Sequence, residues 1–209
     1  MKKVFLILLV LILIAAGYLL WLFKFRSGSR GPSGPPPVPL AVSKHSDAFN
    51  QSIQTMLNAY YSLAEGLVQW DTAAVSKYGQ ELKTALDSVK IEELRKDTTG
   101  IYESALDPLG NARSEASNII ANPSLDAKRT AFNALSENLR LLFIISRYDR
   151  EKIYWQECPM AFGEDQPGHW LSRNDSVRNP YLGINHPQYK ATMLNCGGPK
   201  DTINFMVVK

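Results

Sequence analysis

The sequence predicts an all-α protein: an up-and-down four-helix bundle with an irregular C-terminal segment packed on it, preceded by one N-terminal transmembrane helix. Three observations carry this reading. Apolar residues recur at three- and four-residue spacing in four successive stretches between Phe49 and Ile145. That period stops after Arg150, where aromatic, Pro, Gly and sulfur-containing residues concentrate. Val4–Phe23 is an unbroken apolar run without a charge. A chain of 209 residues, 45% hydrophobic and 21% charged, can bury one core and is too apolar for wholesale disorder. The organisation expected is a membrane anchor over 1–26, a tether over 27–44 and a helical domain over 45–209, whose Cys- and Met-containing part begins at about 150.

The first element is the run VFLILLVLILIAAGYLLWLF. As a helix, about twenty residues span about 30 Å, the thickness of a bilayer hydrocarbon core. Ala15-Ala16-Gly17 resembles a cleavage site, but Tyr18–Phe23 continues the apolar run past it, so the segment reads as an uncleaved anchor through residues 4–23, with an unanchored form released by signal cleavage as the alternative. No cysteine follows the run, so a lipoprotein is not indicated. Tyr18 and Trp21 sit where an interfacial aromatic belt places such residues, with Lys24 and Arg26 beyond. Lysines before the span and basic residues after it nearly cancel in the charge rule. A short basic start running directly into an apolar stretch is how export signals begin, which favours a body outside the cytoplasm.

Residues 27–39, SGSRGPSGPPPVP, carry no helical or strand period and read as a tether, flexible at its Gly/Ser start and stiffened toward polyproline II at Pro35-Pro36-Pro37. A first amphipathic helix follows from about Phe49 to Trp70. Asp71 is placed to cap a second, carrying Val75, Leu82, Leu86 and Val89 on its apolar face. The third stretch, from about Thr98 to Ala121, contains Pro108, which predicts a kink or a break after Leu106. Asn122-Pro123-Ser124 ends it and caps a fourth helix with Phe132, Leu135, Leu139, Leu142 and Phe143 on its face. Glu92, Glu93, Arg95 and Lys96 read as a solvated turn.

Composition excludes several functions. Five of the 23 basic residues, Lys2, Lys3, Lys24, Arg26 and Arg30, precede the folded part, where the 20 acids then outnumber the remaining bases. A nucleic-acid surface has no electrostatic support. Di-iron bundles need Glu-x-x-His on two helices, and no histidine lies between His45 and His169. No nucleophile signature, Walker pattern or dinucleotide fingerprint is present, so no enzymatic activity is expected.

The chemistry-bearing residues cluster late. Both cysteines have a methionine within three residues: Cys158 with Met160, and Cys196 with Met193. Thiolate and thioether are soft donors that select Cu(I) over hard cations, so these four residues are candidate metal ligands, with His169 and His186 as auxiliaries. The same two cysteines, if exported and adjacent, would form a disulfide, and unrelated buried thiols are a third possibility. Tyr154-x-x-x-Cys158-Pro-Met-Ala, Trp170-Leu-Ser, Arg178-Asn-Pro-Tyr181 and Met193-Leu-x-Cys196-Gly together resemble the C-terminal signature of a bacterial envelope family known as domain of unknown function 3347, over roughly residues 45–200. The resemblance implies an exported domain and association with the membrane-fusion subunit of copper- and silver-type heavy-metal efflux systems. It therefore implies Cu(I) or Ag(I) as ligand of Cys158, Met160, Met193 and Cys196. The chain departs from the family form by its own anchor and by additional residues around Asn185-His186-Pro187-Gln188.

Overall fold

The computed structural model describes Tyr18, Trp21 and residues 44–206. The chain divides into two compact units, Met1–Leu40 and Ala41–Lys209. Apart from Tyr18 and Trp21, whose rings stack with centroids 6.1 Å apart, the anchor at 4–23 lies outside the described residues, as does the tether apart from Lys44. Among the described residues no helix is long and apolar enough to cross a membrane.

The second unit is mostly helical: α1 (Asp47–Gln69), α2 (Thr72–Asp87), α3 (Ile101–Ala121) and α4 (Leu125–Ser146), with a 3-10 turn at Ile91–Lys96 between α2 and α3. Each helix starts where the local chemistry permits. Ser46, Asp71 and Ser124 accept hydrogen bonds from the backbone N–H groups of Phe49, Ala74 and Ala127, satisfying donors that have no partner inside the helix. Glu93, read as part of a solvated turn, reaches back to the α1 cap instead. Its carboxylate accepts from the Ser46 backbone N–H at 2.7 Å and from the Ser46 hydroxyl.

Pro108 does not break the third helix, which runs unbroken from Ile101 to Ala121. The Pro108 ring is buried, so packing favours the helical path that the missing N–H disfavours. The core joins Phe49, Ile53, Met56, Leu57 and Tyr60 of α1 to Leu82 and Leu86 of α2, Leu109 and Ile119 of α3, and Phe132, Leu135 and Leu139 of α4. At about 25 cal/mol per Å² of apolar surface, each of these large side chains contributes on the order of 2 kcal/mol.

The C-terminal part, expected to be irregular, is so only in its connections, chiefly over residues 173–197. It forms a three-stranded antiparallel sheet of order β2-β1-β3 from β1 (Ile153–Cys158), β2 (Gly168–Ser172) and β3 (Gly198–Ile203). The all-α expectation failed here for a physical reason. In β1 neighbouring residues on opposite faces, Trp155 and Gln156, are both buried, so the polar–apolar alternation that marks a half-exposed strand is absent. The β-favouring residues Ile153, Tyr154 and Trp155 were the available signal.

Two buried polar connections fix the sheet to the helices. Ser136 donates to the Phe132 carbonyl at 2.7 Å, so the Tyr60 hydroxyl must donate to Ser136 Oγ, also at 2.7 Å, and its remaining lone pair accepts the Leu171 N–H at 3.0 Å. This chain of hydrogen bonds ties β2 to α1 and α4 with each proton accounted for. Beside it, Asn133 Oδ1 accepts from the His169 N–H at 2.7 Å, and the Tyr181 hydroxyl donates to the His169 carbonyl with Asn133 Oδ1 3.1 Å away.

Candidate functional site

Antiparallel register brings the cysteines together. Cys158 is the last residue of β1, and Glu157 lies opposite Gly198 at the start of β3, so Cys196 arrives beside Cys158. The approach depends on Gly197. Its φ of +109° is one that L side chains rarely adopt, and a Cβ there would stand 2.1 Å from the Glu157 carbonyl oxygen. Asn179, fully buried, anchors the same segment. Its Nδ2 donates to the Cys196 carbonyl at 2.9 Å, while Oδ1 accepts the N–H groups of Tyr181 and Leu182 at 2.8 and 3.0 Å. Together these contacts explain physically why an Asn-Pro-Tyr element and a Cys-Gly element occur in one chain.

The two sulfurs are 3.4 Å apart and both cysteines are free thiols, Cys158 buried and Cys196 half-buried. Burial, together with the neighbouring Cys158, pushes the Cys196 thiol up to about 11. A thiol so placed is a poor nucleophile at neutral pH.

The remaining nominated residues are placed differently. Met193 ends a 3-10 turn at Ala191–Met193, and its carbonyl accepts the Cys196 N–H at 3.0 Å. Met160 lies in the wall of a separate cavity. His169 is stacked on Trp155 with ring centroids 5.0 Å apart, its Nδ1 3.0 Å from Glu137 and its Nε2 3.1 Å from Glu157. Each imidazole nitrogen therefore faces a carboxylate oxygen, and neither is open to a metal. His186 Nδ1 accepts the backbone N–H groups of Gln188 and Tyr189, both at 3.2 Å. Burial, with the positive charge of Arg129, lowers its pKa, so the neutral ring carries its proton on Nε2 and presents a donor instead of a lone pair. Among the described residues no group of three or more His, Cys, Asp or Glu is arranged to hold a metal ion. The chemistry available at the thiols is thus that of an isolated pair: mutual oxidation, or two-coordinate capture of a soft cation.

The residues around Asn185-His186-Pro187-Gln188 have a structural task. The Ile184 N–H and Asn185 Nδ2 donate to the carbonyls of Val68 and Gln69 at 2.9 and 3.0 Å, and Arg129 Nη2 reaches the Leu67 carbonyl at 3.4 Å. The Val68 and Gln69 carbonyls, at the C-terminal end of α1, have no partner within the helix, while the Leu67 carbonyl, already reached by the Trp70 N–H at 3.2 Å, gains a second donor. Trp70 Nε1 donates to the Leu182 carbonyl at 2.9 Å, closing the segment over the helix end.

That closure leaves a cavity of about 800 Å³ whose wall includes Trp70, Arg129, Met160, Tyr181, His186 and Tyr189. Sequence reasoning missed Arg129 and this cavity. The signal was present: Arg129 precedes Phe132 by three residues and so lies on the buried stripe of α4, an unusual position for a cation.

A family model described as "Protein of unknown function (DUF3347)" matches residues 56–149. The match supports the family name, and it does so on the helices, not on the C-terminal motifs that suggested the resemblance. No curated protein and no solved structure matches the chain.

Proposed function

We propose that the chain is a non-catalytic interaction module of the bacterial cell envelope, anchored in the inner membrane through residues 4–23, with its body in the periplasm and its C-terminal layer locked by a Cys158–Cys196 disulfide. The observation that carries this reading is the 3.4 Å approach of the two thiols. From that separation a small side-chain adjustment reaches the bond length of about 2.05 Å. An oxidising compartment would keep the bond closed. Because the cysteines are 38 positions apart, the crosslink contributes about 3–4 kcal/mol in the chain-entropy model. It would hold the Asn179–Cys196 connection against the sheet. The four helices, matched by the family model, then supply the surface that meets a partner.

A second reading rests on the same pair in reduced form. Two thiols at contact distance, one of them half-buried and so open to entry, would bind Cu(I) or Ag(I) and pass it to the membrane-fusion subunit of a heavy-metal efflux system. In this reading Met160 and Met193 would have to turn toward the thiols. The raised pKa of the Cys196 thiol weighs against it, because metal binding must displace that proton.

The discriminating experiment compares wild type with the Cys158→Ser/Cys196→Ser double variant, by thermal denaturation with and without reductant and by Cu(I) titration of the reduced chains. The disulfide reading expects wild type to lose stability on reduction and the double variant to be insensitive to reductant. Wild type whose stability is unchanged by reduction, and whose reduced form takes up one Cu(I) that the double variant does not, would favour the metal reading and overturn the first.

A further inference from the structure

The cavity over the end of α1 has the makings of a ligand site that is independent of the thiols. Its volume of about 800 Å³ falls within the range of small-molecule pockets. One side is apolar and aromatic: Trp70, Met160, Phe162, Tyr181 and Leu182. The other side presents donors. Arg129 is 3% exposed, its guanidinium carbon over the Trp70 ring at 3.8 Å from the centroid. Nε and Nη2 are engaged by the carbonyls of Pro180 and Leu67 at 3.2 and 3.4 Å, while Nη1 has the Asp126 carboxylate at 3.5 Å, and that side chain is 90% exposed. A buried cation whose only anionic partner is a long contact to a solvated carboxylate is incompletely compensated. His186 lines the same cavity, and with Nδ1 occupied by the Gln188 and Tyr189 N–H groups it offers Nε2–H as a second donor.

We propose that this cavity binds a small carboxylic acid with an aromatic or apolar body, its carboxylate between Arg129 Nη1 and His186 Nε2 and its body against Trp70, Met160 and Tyr181. A guanidinium held over an aromatic ring, with Nε and Nη2 fixed by backbone carbonyls, presents Nη1 as a preorganised, charge-assisted donor to a carboxylate. Asp126 would give up its weak contact to the ligand and remain solvated. The acids at the lip, Glu164 and Asp165, are exposed, and their repulsion of an anion is screened by salt.

The test is calorimetric titration of the full-length chain in lipid nanodiscs, against empty nanodiscs, with 3-phenylpropionate and with its neutral isostere 3-phenylpropanamide. The acid should bind with a Kd in the millimolar range or tighter, and the amide at least tenfold more weakly. Arg129→Gln, which removes the charge, should abolish the preference for the acid. Because Arg129 holds two backbone carbonyls and His186 two backbone N–H groups, Asp126→Asn serves as the second variant. It removes the exposed carboxylate that competes for Nη1 and should tighten the acid several-fold while leaving the amide unchanged. Comparing 3-phenylpropionate with N-acetylphenylalanine distinguishes a free acid from a peptide C-terminus as the source of the carboxylate. Equal binding of acid and amide, or binding of neither, would overturn the proposal.

Discussion

Gly197 sets the distance between the thiols, since any side chain there would collide with the β1 backbone beside Cys158. Gly197→Ala is therefore expected to destabilise the protein by about 2–4 kcal/mol and to move the sulfurs apart. Thermal denaturation measures the first effect and the yield of air-oxidised disulfide the second. Cys196 offers a separate check in the reduced protein. Alkylation requires the thiolate, and a thiol pushed up to about 11 carries roughly a hundredfold less of it at pH 8 than one titrating near 9. Iodoacetamide labelling of Cys196 should be slow at pH 8, accelerate as pH rises toward 11, and return to ordinary rates in urea. Asn179 acts at the same scale. Asn179→Ala removes one donor and one shared acceptor from a fully buried site, leaving two backbone N–H groups and a carbonyl unpaired, at a cost of about 2–4 kcal/mol.

At the scale of elements, two carboxylates attach the C-terminal layer to the helices and a third, Glu157, ties the three strands to one another. Arg178 holds the Glu65 carboxyl of α1 below its ordinary range, Lys200 together with His169 does so for Glu157 of β1, and Arg140 of α4 does so for Asp201 of β3. A carboxylate whose pKa is lowered on folding adds stability that is present above its unfolded value, near 4, and lost as pH falls through the folded one. Acidification below about pH 4 should thus loosen the sheet before the helices. Hydrogen exchange across β1–β3 and the fluorescence of Trp155 and Trp170 would report it, with near-UV signals lost before far-UV helicity. The same elements show what a sequence can and cannot carry. The four helices were legible because buried residues such as Ile53, Met56, Leu57 and Tyr60 repeat at helical spacing on faces opposed by polar ones. Asp71 and Ser124 announced two of the starts. β1 was not legible, since burial on both faces erases the period by which a strand is recognised. Of the kink or break expected at Pro108, the break does not occur: tertiary packing outweighs one lost hydrogen bond and has no local signature.

For the whole molecule, nearness of Cys158 and Cys196 followed from neither periodicity nor spacing. It needed the antiparallel pairing of β1 with β3, a contact between segments some forty residues apart. The sequence named the sulfur residues, and topology sorted them: two thiols together, Met160 into a cavity wall, Met193 onto a turn. The anchor belongs to this scale as well. An uncleaved span over residues 4–23 predicts that the full-length chain stays with inner-membrane vesicles after alkaline carbonate washing, whereas a chain beginning at residue 40 is recovered in the soluble fraction. The central claim is that the folded domain exists closed by a Cys158–Cys196 bond in its own compartment. Its most direct test is intact-mass measurement of the full chain purified from cell envelopes with thiols blocked at lysis and no reductant. A mass about two daltons below the reduced value, with no alkyl groups added, is the result expected for a closed disulfide. Two alkyl adducts on Cys158 and Cys196 of the unfolded chain, or a retained Cu(I), would contradict it.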